Sequence, residues 1–372
     1  MNPPSAVEGP GPGRREYLDW LRGIAVLIMI EAHTLDSWTR VEDRSIPAFG
    51  WALLIGGFGA PIFLFLAGLA LALAAGSRLR KGRTGAEAAA LARRRGWQVF
   101  GLAFLFRLQS MVISGGALES LLKVDILNVL GVSMLGAAVL WGLGRDRWSR
   151  AVLLVGAAVA IAMLTPIIRS TPLFDPLPDR LEWYLRPYPG RTTFTLFPWA
   201  AFLPAGVAVG LWLDATRTPQ EERRVILALA FLGPLIALGG YAASFLPPIY
   251  ADTNFWTSSP TFFFLRVGVL ISLLPIAYAW TAACKGPRRM SVFRGWSPLQ
   301  EFGVASLFVY WIHVEMVYGV LSAPIHKQLP FGQSLAAFAA FSVFLFALVK
   351  LKDYLVRTRP YRSSLQSQHG SA

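Results

Sequence analysis

The sequence has little charge, a single cysteine and few histidines. Charged residues make up 15% of its 372 positions against 55% hydrophobic ones, too little polar surface to coat a soluble globule of this size. Soluble fold classes are thereby excluded. One cysteine, Cys284, rules out an intramolecular disulfide, and four histidines (His33, His313, His326 and His369) leave little for a metal centre. There is no CxxC pair, HExxH helix, P-loop or strand-to-helix GxGxxG, so no metal is expected as a cofactor. Residues 1–13, MNPPSAVEGPGPG, lack the basic and apolar regions of a signal peptide and read as a disordered tail.

What the chain has in abundance is apolar runs of about 20 residues, the length that crosses about 30 Å of hydrocarbon. Ten spans are expected, at roughly 17–38, 49–75, 96–114, 124–143, 151–168, 193–213, 225–246, 261–283, 299–321 and 332–351. The expected fold is an all-α, polytopic transmembrane helical bundle over 14–351, followed by a basic cytoplasmic tail, 352–372. The net charge of +14 invites a nucleic-acid reading. A basic excess between apolar spans is instead what cytoplasmic loops of membrane proteins carry, so the expected partner is the lipid bilayer and not nucleic acid. Assigned to alternate sides of the ten spans, Lys and Arg favour one side by roughly three to one. That imbalance places both termini in the cytoplasm. The longest outer loop, 169–192, is rich in Pro, aromatics and Arg; it suits either a membrane anchor or a substrate platform.

An ionisable side chain in hydrocarbon costs about 2.5–3.5 kcal/mol on insertion scales, so each one within a span is a candidate for function or for a buried pair. The first span is densest in them. A step of about 100° per residue places Asp19, Arg22, His33 and Asp36 on one face. His33 falls about 22 Å along the helix, in the outer half of the membrane, and Asp36 one turn on is positioned to accept a ring proton and fix the tautomer. Glu31 points the opposite way, with Arg107 or Arg266 as candidate neutralisers. His313 in the ninth span falls about 21 Å from the inner end, at a matching height. Gly56, Gly57, Gly59 and Gly68 in the second span predict close helix packing, with a kink near Pro61.

The first span, REYLDWLRGIAVLIMIEAHT, resembles the opening helix of the transmembrane acyltransferase superfamily. GAPIFLFLAGLALAL, RRRGWQVFGLAFLF, VDILNVLGVSML and TLFPWAAFLPAGVAVG are similar to later segments of its branch containing heparan-alpha-glucosaminide N-acetyltransferase and bacterial relatives, with Asn128 and Val129 departing from the usual Gln and Arg. LQEFGVASLFVYWIH resembles a late helix of both main branches. The resemblance implies an enzyme of a bacterial inner membrane that moves an acyl group, acetyl by likeness, from cytoplasmic acyl-CoA to an extracytoplasmic glycan or small-molecule acceptor. It further implies a working histidine, which here is His33; the animal enzyme's later histidine has no counterpart in RVEDRSIPAFG. Acyl transfer from a thioester needs a base or nucleophile, an orienting group and positive charge for the oxyanion. Those roles fall to His33, to Asp36, and to Arg107, Arg266 or His313. Arg22, with Arg93, Arg94 and Arg95 of the basic second loop, faces the side where the CoA phosphates arrive. The same buried charges also suit a proton-coupled transporter of a small polar solute, although the two halves show no inverted repeat. A third reading is a scaffold that has lost catalysis.

Overall fold

The structure, a computed structural model, describes residues 15–115, 117–285 and 297–358. In chain order the helices begin with α1 (Glu16–Trp38), α2 (Pro47–Gly56), α3 (Gly59–Arg80), α4 (Gly85–Ser114) and α5 (Ile126–Leu143). There follow α6 (Arg147–Ser170), α7 (Asp179–Leu185), α8 (Leu196–Trp199), α9 (Phe202–Asp214) and α10 (Pro219–Ala243). The last four are α11 (Pro260–Lys285), α12 (Pro298–Val304), α13 (Ser306–Tyr318) and α14 (Phe331–Thr358). Among the described residues the only extended pairings are two isolated bridges, Thr39 with Leu329 and Val124 with Thr192.

Eight stretches among the described residues are long and apolar enough to cross a membrane, so the protein is a multi-pass membrane protein. The sequence led us to expect ten. The two outside the set are both helical. α1 carries Glu16, Asp19, Arg22, Glu31 and Asp36, too many charges for apolarity alone to mark it. The ninth breaks at Ala305 into α12 and α13, each shorter than a bilayer crossing.

Three local expectations are corrected. The interruption of the second span lies at Gly57 and Phe58, between α2 and α3; Pro61 sits in the first turn of α3, where its missing N–H is not required. Arg93, Arg94 and Arg95 are not in a loop but on α4. That helix starts early because Thr84 and Glu87 form a reciprocal capping box, with Glu87 N 3.2 Å from Thr84 Oγ1 and Thr84 N 2.8 Å from Glu87 Oε2. Finally, α14 runs to Thr358, past the expected end at 351.

The chain forms two compact units, one of residues 15–18 and 60–285, the other of 19–59 and 297–358 within the described segments. In the larger unit α4 packs on α5, α10 on α11, and α6 on α9. Phe65, Phe106, Trp141 and Phe202 are sealed in its core. α3 and α9 approach backbone to backbone: a Cβ at Gly68 would overlap the Leu203 carbonyl, and one at Gly206 the Phe65 carbonyl. This is the small-residue packing expected of the second span.

The smaller unit is built the same way. Gly23 of α1 lies against the Leu299 carbonyl, and Gly303 of α12 against the Asp19 carbonyl. α14 packs on α12 and α13. The chain after α13 is tied to the end of α1 by Lys327 N to Ser37 O, Leu329 N to Trp38 O and Arg40 N to Leu329 O, each 2.9 Å. Phe331 N then donates to Asp43 Oδ2 at 2.7 Å, which fixes the start of α14. Together these contacts set the register of α1 relative to α13, and so the height at which their side chains meet.

Candidate active site

That register brings His33 of α1 and His313 of α13 into contact, with His33 Nδ1 2.8 Å from His313 Nε2. The ring centroids are 5.1 Å apart and the planes differ by 6°; this is edge-to-edge geometry joined through N–H···N, not face stacking. His313 is fully buried, whereas His33 is half-buried.

The hydrogen bonds assign both tautomers of the neutral pair. His313 Nδ1 lies 2.8 Å from the Val309 carbonyl. A carbonyl only accepts, so this nitrogen bears the proton and Nε2 is bare. His33 Nδ1 must then donate to His313 Nε2, leaving His33 Nε2 with its lone pair uncommitted among the described residues. The dyad therefore offers one basic nitrogen, on the less buried ring. If that nitrogen gains a proton, the imidazolium still donates from Nδ1 to His313, now through a charge-assisted bond.

The expected hydrogen bond from His33 to Asp36 is not made, because His313 occupies Nδ1. Asp36 instead accepts from Tyr318 Oη at Oδ2, 3.0 Å, and lies 3.6 Å from Arg44 Nη1; Arg44 Nη2 also donates to the Asp36 carbonyl. The edge of Tyr318 meets the His33 ring, with centroids 5.5 Å apart. Among the described residues Asp36 makes no hydrogen bond to His33, and Tyr318 touches both. Neither Tyr318 nor Arg44 was singled out from sequence, since a tyrosine and an arginine at span ends ordinarily mark interfaces. His326 is structural: Ser37 Oγ donates to Val317 O at 2.9 Å and so accepts from His326 Nδ1 at 3.2 Å.

Other predicted site residues stand as follows. Arg22 pairs with Asp19 at 2.9 Å, one turn away on α1. Arg93, Arg94 and Arg95 are exposed on α4. Arg107 meets Asp125 at 3.1 Å, and not Glu31, whose Oε2 is buried beside Gly56 without a hydrogen-bond partner among the described residues. Asp125 also caps α5, accepting from Leu127 N at 2.9 Å, while Asn128 Oδ1 accepts from Asp125 N at 3.0 Å. Asn128 Nδ2 donates to Tyr184 Oη at 3.2 Å, and burial pushes the Tyr184 phenol pKa up. The departure of Asn128 from the family pattern thus serves a helix cap and a contact to α7.

Arg266 stands 3.9 Å from the Phe262 ring centroid and 5.5 Å from that of Trp199. Cation–π contacts are worth about 0.5–2 kcal/mol each and bring no countercharge to the guanidinium. Of the three groups expected to stabilise an oxyanion, His313 has both nitrogens engaged and Arg107 is neutralised by Asp125. Arg266 has no countercharge within 4.0 Å among the described residues. Within the 169–192 segment Arg186 donates to the Ile168 carbonyl at 3.1 Å and pairs with Asp175 at 2.7 Å and Glu182 at 2.9 Å. No group of three or more His, Cys, Asp or Glu arranged to hold a metal ion occurs among the described residues.

Eight helical stretches of membrane-crossing length among the described residues define a multi-pass membrane protein, and the smaller unit holds a hydrogen-bonded imidazole pair. The family model described as heparan-alpha-glucosaminide N-acetyltransferase, catalytic, matches residues 14–246, well over half of the chain, and the chain belongs to that family. Membership assigns it to the membrane acetyltransferases, an enzyme of the transferase class. The match includes His33 and ends before α11, so His313 lies outside it. No curated protein matches the chain.

Proposed function

We propose that the protein transfers an acetyl group from acetyl-CoA to a hydroxyl or amine of an extracytoplasmic glycan or small-molecule acceptor, with His33 as general base. The observation that carries the proposal is the uncommitted Nε2 of His33, held in one tautomer by His313. In the proposed step the acceptor O–H or N–H gives its proton to His33 Nε2 as the acceptor attacks the thioester carbonyl. The C–S bond then breaks, and the CoA thiolate takes the proton back from the imidazolium, so no net proton is consumed. His313 positions the base and steadies its charge. Arg22, Arg93, Arg94 and Arg95 are proposed to hold the CoA phosphates, in keeping with their basicity and the loop-charge imbalance. The same imbalance supports cytoplasmic termini and an inner-membrane location. Membership of an acetyltransferase family favours this reading over a transporter.

The test is mass spectrometry of cell-surface glycans and lipids from cells with the protein, without it, and with His33→Ala, alongside CoA release from acetyl-CoA by the membranes. An acetyl-sized mass difference that vanishes in both the deletion and His33→Ala supports the proposal. Full acetylation in folded, membrane-resident His33→Ala refutes it.

A further inference from the structure

Arg169 and Arg266 differ from Arg15, Arg107 and Arg186, three other arginines drawn into the larger unit. Arg15 meets Glu222 at 2.7 Å, Arg107 meets Asp125 at 3.1 Å and Arg186 meets Asp175 at 2.7 Å. Arg169 and Arg266 have no carboxylate within 4.0 Å among the described residues. Both Nε atoms are buried without a hydrogen-bond partner there.

The two side chains converge on one short segment. Arg169, in the last turn of α6, donates from Nη2 to Phe197 O at 2.9 Å and to Thr195 Oγ1 at 3.3 Å. Arg266, in the second turn of α11, faces the Trp199 ring at 5.5 Å and rests on Phe262 at 3.9 Å. Thr195 Oγ1 itself donates to Phe197 O at 2.7 Å, so the contacts that residues 195–199 make to the two arginines include no anionic acceptor among the described residues. Two half-buried guanidinium groups with only carbonyl, hydroxyl and ring partners among the described residues have no countercharge there. A ligand oxyanion supplies what is missing, and the rings give a flat apolar floor for the body that carries it.

We propose that Arg169 and Arg266, with Trp199 and Phe262, form a binding site for the oxyanion group of a substrate. Two substrates could bring one, an acidic acceptor or the phosphates of acyl-CoA. The end of α6, the start of α9 and the start of α11 fall on the side that the Lys and Arg imbalance makes extracytoplasmic, so the acceptor is the source favoured here. The protein would then act on sugars or related molecules carrying an acid group. This choice of source rests on the acetyl-transfer reading; the anion site itself does not.

The experiment is thermal unfolding of the full-length protein in detergent, titrated with glucuronate, with adenosine 3′,5′-bisphosphate, and with glucose as the neutral control. Wild type, Arg169→Gln, Arg266→Gln, Arg266→Lys and His33→Ala are compared. Glucuronate is expected to raise Tm in wild type and His33→Ala alike, glucose to leave it unchanged, and either glutamine variant to weaken the apparent affinity at least tenfold. Arg266→Lys keeps the charge and retains part of the response, so it reads the site even if a glutamine variant fails to fold. A bisphosphate response that needs Arg266, without a glucuronate response, supports the anion site and transfers it to the donor. No response to either anion, or full response in Arg266→Gln, overturns it. Anion binding in a protein that moves no acetyl group would sink the transfer reading and leave this site standing; acetyl transfer without anion binding would do the reverse.

Discussion

Tyr318 Oη donates to Asp36 Oδ2 at 3.0 Å while the edge of the same ring meets His33. Tyr318 closes α13 and Asp36 lies in the last turn of α1, so this bond holds the two helix ends together beside the imidazole pair. Tyr318→Phe keeps the ring contact and loses the hydrogen bond. Because Asp36 is exposed and keeps Arg44, the stability loss should be within about 0.5–1.5 kcal/mol. Acetyl transfer is expected to fall far less than in His33→Ala. Melting temperature and initial rates in the same detergent preparation check both.

His313 is expected to act through His33. His313→Ala removes the acceptor of His33 Nδ1–H and frees the tautomer, so transfer should drop by part of the about 10²–10⁴-fold that a general base contributes. The KM for acetyl-CoA should stay near its wild-type value. His313→Gln, whose amide oxygen can accept from Nδ1, should recover part of the rate. A rate profile against pH separates this from mere misfolding, because a freed His33 shifts its acid limb while an unfolded fraction only scales the curve.

Arg107 and Asp125 form a largely buried pair in the larger unit. Arg107→Gln leaves the carboxylate uncompensated and should cost about 3–5 kcal/mol. Adding Asp125→Asn should restore part of that stability, since a neutral Asn still caps α5. A double-mutant cycle of chemical or thermal unfolding measures the coupling.

Gly303→Val tests the contact between α12 and α1. The added side chain meets the Asp19 carbonyl and forces the helices apart, with an expected loss of about 1–3 kcal/mol from overpacking. The imidazole register depends on this packing, so acetyl transfer should fall as well. Gly332→Ala, whose Cβ meets open space, serves as the control and should leave both unfolding temperature and rate unchanged.

Asp43 provides a pH-dependent term. The Phe331 N–H and the Arg40 guanidinium hold its carboxyl below the usual carboxylate range. A depressed folded-state pKa adds stability that is fully present above the unfolded pKa and is lost as pH falls through the folded value. Asp43→Asn should therefore melt lower than wild type near neutrality, and the gap should close on acidification below about pH 4, the unperturbed Asp range. Parallel melts from pH 7 to pH 3 show the trend.

Much of the helical plan was legible in the sequence because membrane-spanning length and apolarity are local properties of the chain. α5, α6, α10 and α11 follow the expected spans closely. The departures occur where local chemistry competes with hydropathy: the Thr84 and Glu87 cap draws Arg93, Arg94 and Arg95 onto α4, and Ala305 divides the ninth span. His33 and His313 were both visible as ionisable groups at matching depth, since rise per residue fixes height along a helix. Their bond was not visible, nor was the diversion of Asp36 to Tyr318, because rotation about the helix axes and the distance between them depend on packing.

The sequence by itself determined that this is a helical membrane protein, how far along its helix each histidine lies, and the family to which it belongs. Those properties follow from composition, periodicity and the order of short motifs. Only the tertiary structure decided which nitrogen of which histidine is left basic. That outcome depends on a carbonyl at Val309 and on two rings from helices far apart in sequence meeting at hydrogen-bond distance, a geometry that no local pattern encodes.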